Sequence, residues 1–304
     1  MFFSIKNGFY NILFLGFFAG FFVAFIFIYS ASKLFIHKKE SVILRSQVDK
    51  YYYDRKVFEK PKALQTSNKI SSTLEKKEFR IPIIMYHYVE YVKDPLDTTR
   101  KSLNINPLVF EKELEALNNN GYKTLFVEEI PRIISGETEY SSKSVVLTFD
   151  DGYEDFYTDV LPLLKKHNIK ATLYIIYNFI DRKGFLSEKQ IDEIIDSKLV
   201  EIGSHTLDHF YLKKSTEIVA AKQIIDSKKM FEDRFDINIE TFAYPFGAFD
   251  QNAVDLVKSA GYTAAVSVIP EIKHSSEDLF YLYRVRAGNF SYGNIINFFE
   301  NYKK

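Results

Sequence analysis

Two adjacent carboxylates, Asp150 and Asp151, stand at the end of an apolar run, Val145–Phe149. The β-branched and aromatic residues of this run predict a buried strand. A strand end has no structural use for two like charges, because each carboxylate raises the cost of ionising the other, so the pair suggests a cation held nearby. The alternative is that Asp150–Gly152 is only a turn with an Asx-type side-chain hydrogen bond. The doublet alone leaves both interpretations open.

The choice between them depends on two histidines, His205 and His209, which follow a second predicted strand, Leu199–Gly203. If the turn after this strand is helical, a spacing of four residues places both imidazoles on one face, where they can reach one metal ion. With a carboxylate from Asp151 they form a two-histidine, one-carboxylate set with open positions for water and substrate, which is typical of a catalytic metal. The set suits zinc first, with cobalt, nickel and iron as alternatives.

Length and composition exclude several classes of protein. The chain has 304 residues, which is enough for one large domain or two small ones. Its 40 basic and 40 acidic residues cancel, so the charge balance does not indicate a nucleic-acid partner. Cysteine is absent, so no disulfide forms and any metal site must use nitrogen and oxygen ligands.

The N-terminus predicts attachment to a membrane. Residues 8–32 carry no charged side chain, and roughly 20 apolar residues are enough to cross a bilayer as a helix. We predict an uncleaved anchor over residues 1–36. A cleaved signal peptide is the alternative, with Ser30–Ser32 as the small-residue site, although its apolar region usually has about 7–15 residues. Residues 37–80, rich in Lys, Glu, Ser, Gln and Thr, predict a stalk or linker.

Strand and helix signals alternate through the remaining chain, residues 81–304. About eight short apolar strands separated by helices predict a parallel α/β fold. A (β/α) barrel is favoured over an open sheet, because the chain has no Gly-rich phosphate loop and the candidate site residues follow several separate strands. The carboxyl ends of barrel strands meet at one rim. His87, at the end of the predicted strand Ile81–Val89, and the turn Tyr244–Gly247 would join the acids and histidines there.

With these residues in view, the chain from about Ile83 to Phe299 resembles the polysaccharide deacetylases of the NodB-homology group, carbohydrate esterase family four. It is most similar to the branch that deacetylates poly-N-acetylglucosamine of biofilm matrix. Thr148–Gly152 (TFDDG) matches the first motif of the family, His205–His209 (HTLDH) the second, and Phe242–Gly247 (FAYPFG) is a variant of the third. The resemblance implies a distorted (β/α) barrel with about seven to eight strands.

The resemblance also implies roles for single residues. Asp150 would be the catalytic base, and Asp151, His205 and His209 would hold a divalent metal. The acid histidine of the biofilm branch maps onto His87, for which a buried histidine bonded within the first strand is the alternative. Amide hydrolysis needs these parts, because a metal lowers the pKa of its water toward ~7 and polarises the acetyl oxygen. A base then accepts the water proton and an acid protonates the leaving amine.

The third motif departs from the family pattern. Its commoner form has an arginine that orients the base, and this chain has Ala243 at that place. Arg284 or Arg286, from a late predicted strand, is the candidate replacement, and the alternative is that both are ordinary strand-edge residues. The backbone N–H of Phe246 is a candidate oxyanion donor. The rings of Phe246 and Tyr244 are candidates for contact with substrate.

Taken together, the motifs predict a metal-dependent hydrolase that removes N-acetyl groups from poly-N-acetylglucosamine or a related surface polysaccharide. Peptidoglycan or a lipid-linked amino sugar is an alternative substrate. A non-catalytic carbohydrate-binding or scaffold protein is a further alternative, but metal binding alone would not require Asp150. A surface polymer predicts an extracytoplasmic catalytic domain, whereas the positive-inside tendency of Lys33, Lys38 and Lys39 predicts a cytoplasmic one.

Overall fold

The computed structural model of the protein describes residues 78–92, 94, 96–287 and 295–301. The predicted anchor at 1–36 and all but the last three residues of the predicted stalk at 37–80 lie outside the described residues. Within the described part, no helix is both long enough and apolar enough to cross a bilayer.

The described residues form short strands separated by helices, as the alternation of signals predicted. The strands are β1 (Phe79–Arg80), β2 (Ile83–Tyr86), β3 (Tyr88–Val89), β4 (Asn104–Ile105), β5 (Lys123–Leu125), β6 (Ser144–Phe149), β7 (Ala171–Ile175), β8 (Val200–Ser204), β9 (Thr241–Ala243), β10 (Ala264–Val266), β11 (Lys273–His274) and β12 (Val285–Arg286). The helices are α1 (Thr98–Leu103), α2 (Pro107–Asn119), α3 (Ile130–Ser135), α4 (Leu161–His167), α5 (Glu188–Asp196), α6 (Glu217–Ala221), α7 (Ser227–Phe235), α8 (Gln251–Ser259) and α9 (Ile295–Asn301). Two π-helical turns, Phe156–Val160 and Lys222–Asp226, lie directly before α4 and α7.

Eight of the strands form one curled parallel sheet. Its order is β10–β9–β8–β7–β6–β2–β12, and β5 also pairs with β6. The segment at 281–286 reaches both edges of this sheet, because Leu282 pairs with Val266 of β10 and Val285 pairs with Ile84 of β2. The parallel α/β fold is therefore confirmed, and the sheet has the form of a half-barrel.

Neighbouring residues of the central strands face two different apolar clusters. Ile84 and Leu147 belong to the larger cluster, which includes the buried faces of the helices, whereas Ile83 and Val146 belong to a smaller cluster of residues from several strands. Side chains alternate between the faces of a strand, so both faces of β2 and β6 are buried. This is why both strands appear in the sequence as continuous apolar runs rather than as alternating ones.

A buried histidine connects β1 and β11, which pair with each other outside the main sheet. The ring of His274 lies between Phe79 and Tyr283, with ring centroids 5.2 and 5.5 Å away. Its Nε2 is 3.1 Å from the carbonyl oxygen of Ile81. Burial lowers the pKa of His274 to about 4. The ring is therefore neutral at physiological pH and forms part of the fold.

Acidification is expected to destabilise the protein through His274. The imidazole has a pKa of about 6.5 in an unfolded chain. As the pH falls, the imidazole therefore takes up a proton in the unfolded state before it does so in the folded state. The contribution of His274 to the free energy of unfolding is complete above pH ~6.5 and is lost as the pH falls toward 4. The total loss from this group is about 3 kcal/mol. We expect denaturant unfolding of His274→Asn to show a shallower fall in stability over this range than wild type. His167→Asn, at the end of α4, is the control, and parallel pH profiles for wild type and His274→Asn would contradict the prediction.

Candidate active site

The two adjacent acids lie immediately after β6, at its carboxyl end. The backbone N–H of Asp150 donates to the carbonyl of Tyr86 at the end of β2, so the sheet pairing continues up to the first acid. Asp151 and Gly152 both have positive φ, 78° and 75°. The chain therefore turns sharply after the strand. Gly152 also fits closely against β7, since a Cβ on this residue would lie 3.0 Å from Cγ2 of Ile175. Both acids are buried, with exposed fractions of 3% and 5%.

The two histidines lie in the turn at residues 205–209, called the histidine turn, which follows β8. This strand is two positions from β6 in the sheet. The turn is not helical, since Thr206 and His209 have positive φ of 68° and 56°. The two rings nevertheless converge, with centroids 4.9 Å apart. The premise of a helical turn is therefore wrong, and a different backbone path brings the rings of His205 and His209 together.

The imidazoles and the second acid form a compact set of metal ligands. Oδ1 of Asp151 is 3.4 Å from Nε2 of His205 and 3.3 Å from Nε2 of His209. One ligand atom from each residue lies within 4.8 Å of the others. Oδ1 of Asp151 is buried and makes no hydrogen bond to any residue that the structure describes. A buried carboxylate oxygen in this state fits a coordinated cation better than it fits a purely structural role.

The protonation of both rings also suits a metal. Nδ1 of His205 is 2.8 Å from the carbonyl oxygen of Ala243. A proton on Nδ1 satisfies that carbonyl and leaves the lone pair of Nε2 directed at Asp151, as in metal-ligating histidines. Burial lowers the pKa of His209 to about 4, against the attraction of Asp151, so this ring is neutral at physiological pH. The nitrogen and oxygen donors therefore fit a divalent transition metal such as zinc.

The first acid is held apart from this set by an arginine. The guanidinium of Arg284 donates to both oxygens of Asp150, from Nη1 at 2.7 Å and from Nη2 at 2.8 Å. It also donates to Oγ1 of Thr148 and to the carbonyl of Ser267, and only 1% of the residue is exposed. Burial opposes ionisation of Asp150, but the charge and hydrogen bonds of Arg284 outweigh it and hold the pKa of the carboxyl below its usual value. Of the two candidate arginines, Arg284 is the one bonded to Asp150.

His87 lies between β2 and β3 and completes the group of titratable side chains. It is buried, with an exposed fraction of 7%. Burial lowers the pKa of His87, the charges of Asp150 and Asp151 raise it, and the charge of Arg286 lowers it further. His87 is therefore close enough to both acids for their charges to act on it. The positive charge of Arg286 thus acts on the pKa of His87.

Of the two residues predicted to contact substrate in the turn Tyr244–Gly247, only Phe246 lies beside a candidate metal ligand. The ring of Phe246 lies 4.3 Å from that of His209, centroid to centroid, on a backbone with φ of 60°. Gly247 next to it has φ of 63°, and a Cβ there would come within 2.1 Å of Cγ2 of Val268. Tyr244 does not reach the rim, because its side chain is fully buried and its hydroxyl donates to the carbonyl of Phe280. The interpretation of Tyr244 as a substrate-contact residue is corrected accordingly.

Several parts of the site carry no recognisable sequence signal. The carbonyl of Ala243, which sets the tautomer of His205, is a backbone group that any residue supplies. The carbonyl of Ser267 is likewise silent in the sequence. Thr148, the first residue of the first motif, precedes Asp150 by two residues, and alternation along a strand is the signal that places its hydroxyl on the same face as Asp150.

The fold and the site define an α/β protein whose candidate metal cluster and candidate base lie at the carboxyl ends of parallel strands. The sequence profile described as polysaccharide deacetylase matches residues 137–265. YxkH of Bacillus subtilis, which carries the same family name, is 32% identical over 230 residues, covering 74% of this chain and 79% of that protein. The chain belongs to the polysaccharide deacetylase family.

A second curated protein and a solved structure are also similar to this chain. The poly-beta-1,6-N-acetyl-D-glucosamine N-deacetylase of Staphylococcus epidermidis is 26% identical over 239 residues, covering 71% of this chain and 82% of that protein. Among solved structures, the Streptococcus pyogenes deacetylase PplD in complex with acetate is 29% identical. Its TM-score is 0.67 over 73% of this chain and 98% of that chain. The family resemblance expected from the three motifs is therefore confirmed.

Proposed function

We propose that the protein hydrolyses N-acetyl groups of an amino-sugar polymer, with poly-β-1,6-N-acetylglucosamine as the first candidate substrate. One observation carries the proposal. Asp151, His205 and His209 converge on one point, while Asp150 is held beside them by Arg284 and is not part of the cluster. A structural metal site needs no second acid at that place, whereas hydrolysis of an amide needs a base.

Asp150 is suited to accept a proton from the attacking water. Its carboxyl is ionised at physiological pH because Arg284 holds its pKa below the usual value. Each carboxylate oxygen has two lone pairs, so the two bonds from the guanidinium leave capacity for a water molecule. The bidentate grip also keeps the carboxylate from rotating, which preserves its orientation toward the reacting centre.

Asp151, His205 and His209 would hold the divalent metal of this reaction. When bound, it supplies a Lewis acid that activates water and polarises the acetyl oxygen. The carbonyl of Ala243 keeps the Nε2 lone pair of His205 available for this purpose. The ring of Phe246 lies beside that of His209, and the backbone N–H of the same residue is assigned to the oxyanion.

His87 is assigned to protonation of the leaving amine. Its lowered pKa means that the ring is neutral before the reaction, so it must receive the proton that it delivers. Asp150 is the source, because a carboxyl whose pKa is held low passes on an accepted proton readily. In this proposal the proton that Asp150 takes from water would pass to His87, on which the charge of Asp150 acts, and then to the amine.

A groove of about 420 Å³ is our candidate for the place of the sugar chain. It is lined by Tyr91, Arg100, Thr158, Gly184 and four acids, Glu90, Glu154, Asp155 and Asp159. Arg100 lies 4.3 Å from the ring centroid of Tyr88, and this ring stacks on Tyr153, whose pKa is raised by burial and by the charge of Asp151, with ring centroids 3.9 Å apart. Aromatic faces and paired polar groups are the usual means of orienting a ligand in a cleft.

The relatives support an amino-sugar polymer as substrate. The staphylococcal relative is named for its action on poly-β-1,6-N-acetylglucosamine, and we extend that substrate to this chain as part of the proposal. The uncharged segment at 8–32 adds a membrane anchor to the proposal, with the catalytic domain outside the cytoplasm, where such a polymer lies.

Acetate release is the direct test, and removal of metal is expected to abolish it. We expect the purified protein to release acetate from β-1,6-linked N-acetylglucosamine oligomers, to lose this activity after dialysis against a chelator, and to regain it with zinc, cobalt, nickel or iron(II). Chitin-like oligomers and peptidoglycan serve as comparison substrates. Acetate release that survives complete removal of metal would contradict the metal-dependent reaction. Its absence from all three substrates with metal bound would favour a binding protein instead.

A further inference from the structure

The helix that packs beneath the histidine turn is irregular at one point. α6 and α7 are joined by the π-helical turn Lys222–Asp226, so residues 217–235 continue as one helix with a local change of hydrogen bonding. Such turns within α-helices occur frequently at functional sites. Gln223 lies in this turn and is buried, with an exposed fraction of 6%.

The amide of Gln223 makes three hydrogen bonds to the middle of the histidine turn. Its Oε1 accepts hydrogen bonds from the backbone N–H groups of Leu207 and Asp208, each at 3.1 Å. Its Nε2 donates to Oδ2 of Asp208 at 2.8 Å. Leu207 and Asp208 lie between His205 and His209, so the side chain of Gln223 binds the backbone that joins the two candidate ligands. The backbone N–H groups of Tyr177 and Asn178 donate to the carbonyls of Thr206 and Leu207 in the same turn.

The same helix also holds the start of the turn. Ser227, four residues after Gln223, has its Oγ 2.8 Å from Oγ of Ser204, the residue before His205. The hydroxyl of Ser227 itself donates to the carbonyl of Ile224. Gln223 and Ser227 therefore connect the helix to positions on both sides of His205.

The turn requires such support because its backbone is unfavourable. Thr206 and His209 are β-branched or bulky residues with positive φ, which an isolated chain rarely adopts. The amide of Asn178 donates to the other carboxylate oxygen of Asp208, Oδ1, at 2.8 Å. Both oxygens of Asp208 are thus used to hold the turn, one by Asn178 and the other by Gln223.

We infer that Gln223 is a positioning residue that sets the affinity of the histidine turn for its metal. The inference rests on the proposed function, because it assumes that His205 and His209 are ligands. Without the three hydrogen bonds of Gln223, the turn can relax to a more favourable backbone and the two Nε2 atoms no longer point together at Asp151. Loss of an outer partner of a metal ligand typically lowers metal affinity by about 10-fold to 100-fold.

The test is zinc affinity of the apo protein, measured by competition with a chromogenic chelator. Gln223→Leu keeps most of the side-chain volume and removes all three hydrogen bonds. We expect it to bind zinc at least about 10-fold more weakly than wild type. Gln251→Leu is the matched control, because Gln251 also donates to a carboxylate, that of Asp255, but lies on α8. The control is expected to bind zinc as wild type does.

The outcomes separate this inference from the function on which it rests. Wild type that binds no zinc would remove both. If wild type binds zinc and Gln223→Leu binds it with the same affinity, the positioning role of Gln223 is overturned and the proposed function stays in place. If Gln223→Leu does not fold, Gln223→Glu is measured, since it keeps the acceptor for both amides but places a carboxylate against Asp208. Weaker zinc binding by this variant with the thermal midpoint of the apo protein unchanged supports the inference, and unchanged zinc affinity overturns it.

Discussion

Asp150→Asn is expected to lower acetate release by about 10²-fold to 10⁴-fold while zinc binding persists. The amide side chain has the size of the carboxylate but cannot accept a proton from water at physiological pH. Oδ1 of Asp151 and both imidazoles are unchanged by the substitution, so the ligand set stays complete. Measurements on one preparation of this variant should therefore show a low turnover and an unchanged affinity for zinc.

A matched substitution controls for the loss of a buried charge. Asp278 is also buried and accepts a backbone hydrogen bond from Ser275, but it lies in the turn after β11. Asp278→Asn is expected to keep its turnover. Arg284 loses its ionic partner in Asp150→Asn, so thermal unfolding is recorded to show that the variant is folded. Wild-type rates of acetate release from Asp150→Asn would remove Asp150 from the role of base.

Arg284→Met is expected to have the second largest effect, on both stability and turnover. Removing one partner of a buried ion pair typically costs about 3–5 kcal/mol, because the remaining charge stays buried without compensation. The attraction that lowers the pKa of Asp150 disappears, and burial then raises that pKa. The acidic limb of the pH–rate profile should therefore move to higher pH, with little change in zinc affinity. Denaturant unfolding and the pH dependence of turnover measure the two effects.

Two comparisons show whether the effect of Arg284→Met acts through Asp150. Arg286→Met changes an arginine two residues away that acts on His87, and it is expected to leave the acidic limb due to Asp150 in place. The double variant Asp150→Asn with Arg284→Met removes both charges of the pair and is expected to be more stable than Arg284→Met alone. A pH–rate profile in Arg284→Met that coincides with that of wild type would contradict the assignment of Arg284.

Much of the candidate site was predictable because its ligands lie in short local motifs. The acids follow an apolar run, and the histidines follow another, so the residue types and their spacing alone predicted a two-histidine, one-carboxylate set. The order of strands and helices predicted the parallel sheet, and parallel strands bring their carboxyl ends to one edge. The convergence of Asp151, His205 and His209 follows from these two facts together, even though the turn between the histidines is not the helical one expected.

Other features were decided by packing between segments distant in the chain. Arg284 and Arg286 have the same side-chain type and lie two residues apart in one predicted strand, where both would project to the same face, so local sequence does not distinguish them. The pairing of the segment at 281–286 with both edges of the sheet places Arg284, and not Arg286, in contact with Asp150. Tyr244 was expected at the rim because it follows a predicted strand. It is buried instead, and its hydroxyl donates to the carbonyl of Phe280, 36 positions away.

The sequence by itself determined the fold class, the family and the candidate ligand set, because apolar periodicity and short motifs act over a few residues. Only the tertiary structure decided which arginine binds Asp150, which backbone carbonyl bonds to His205, and which helical side chain binds the histidine turn. These contacts join residues between 15 and 134 positions apart. Their partners are chosen by strand order, register and helix placement, which no local pattern encodes.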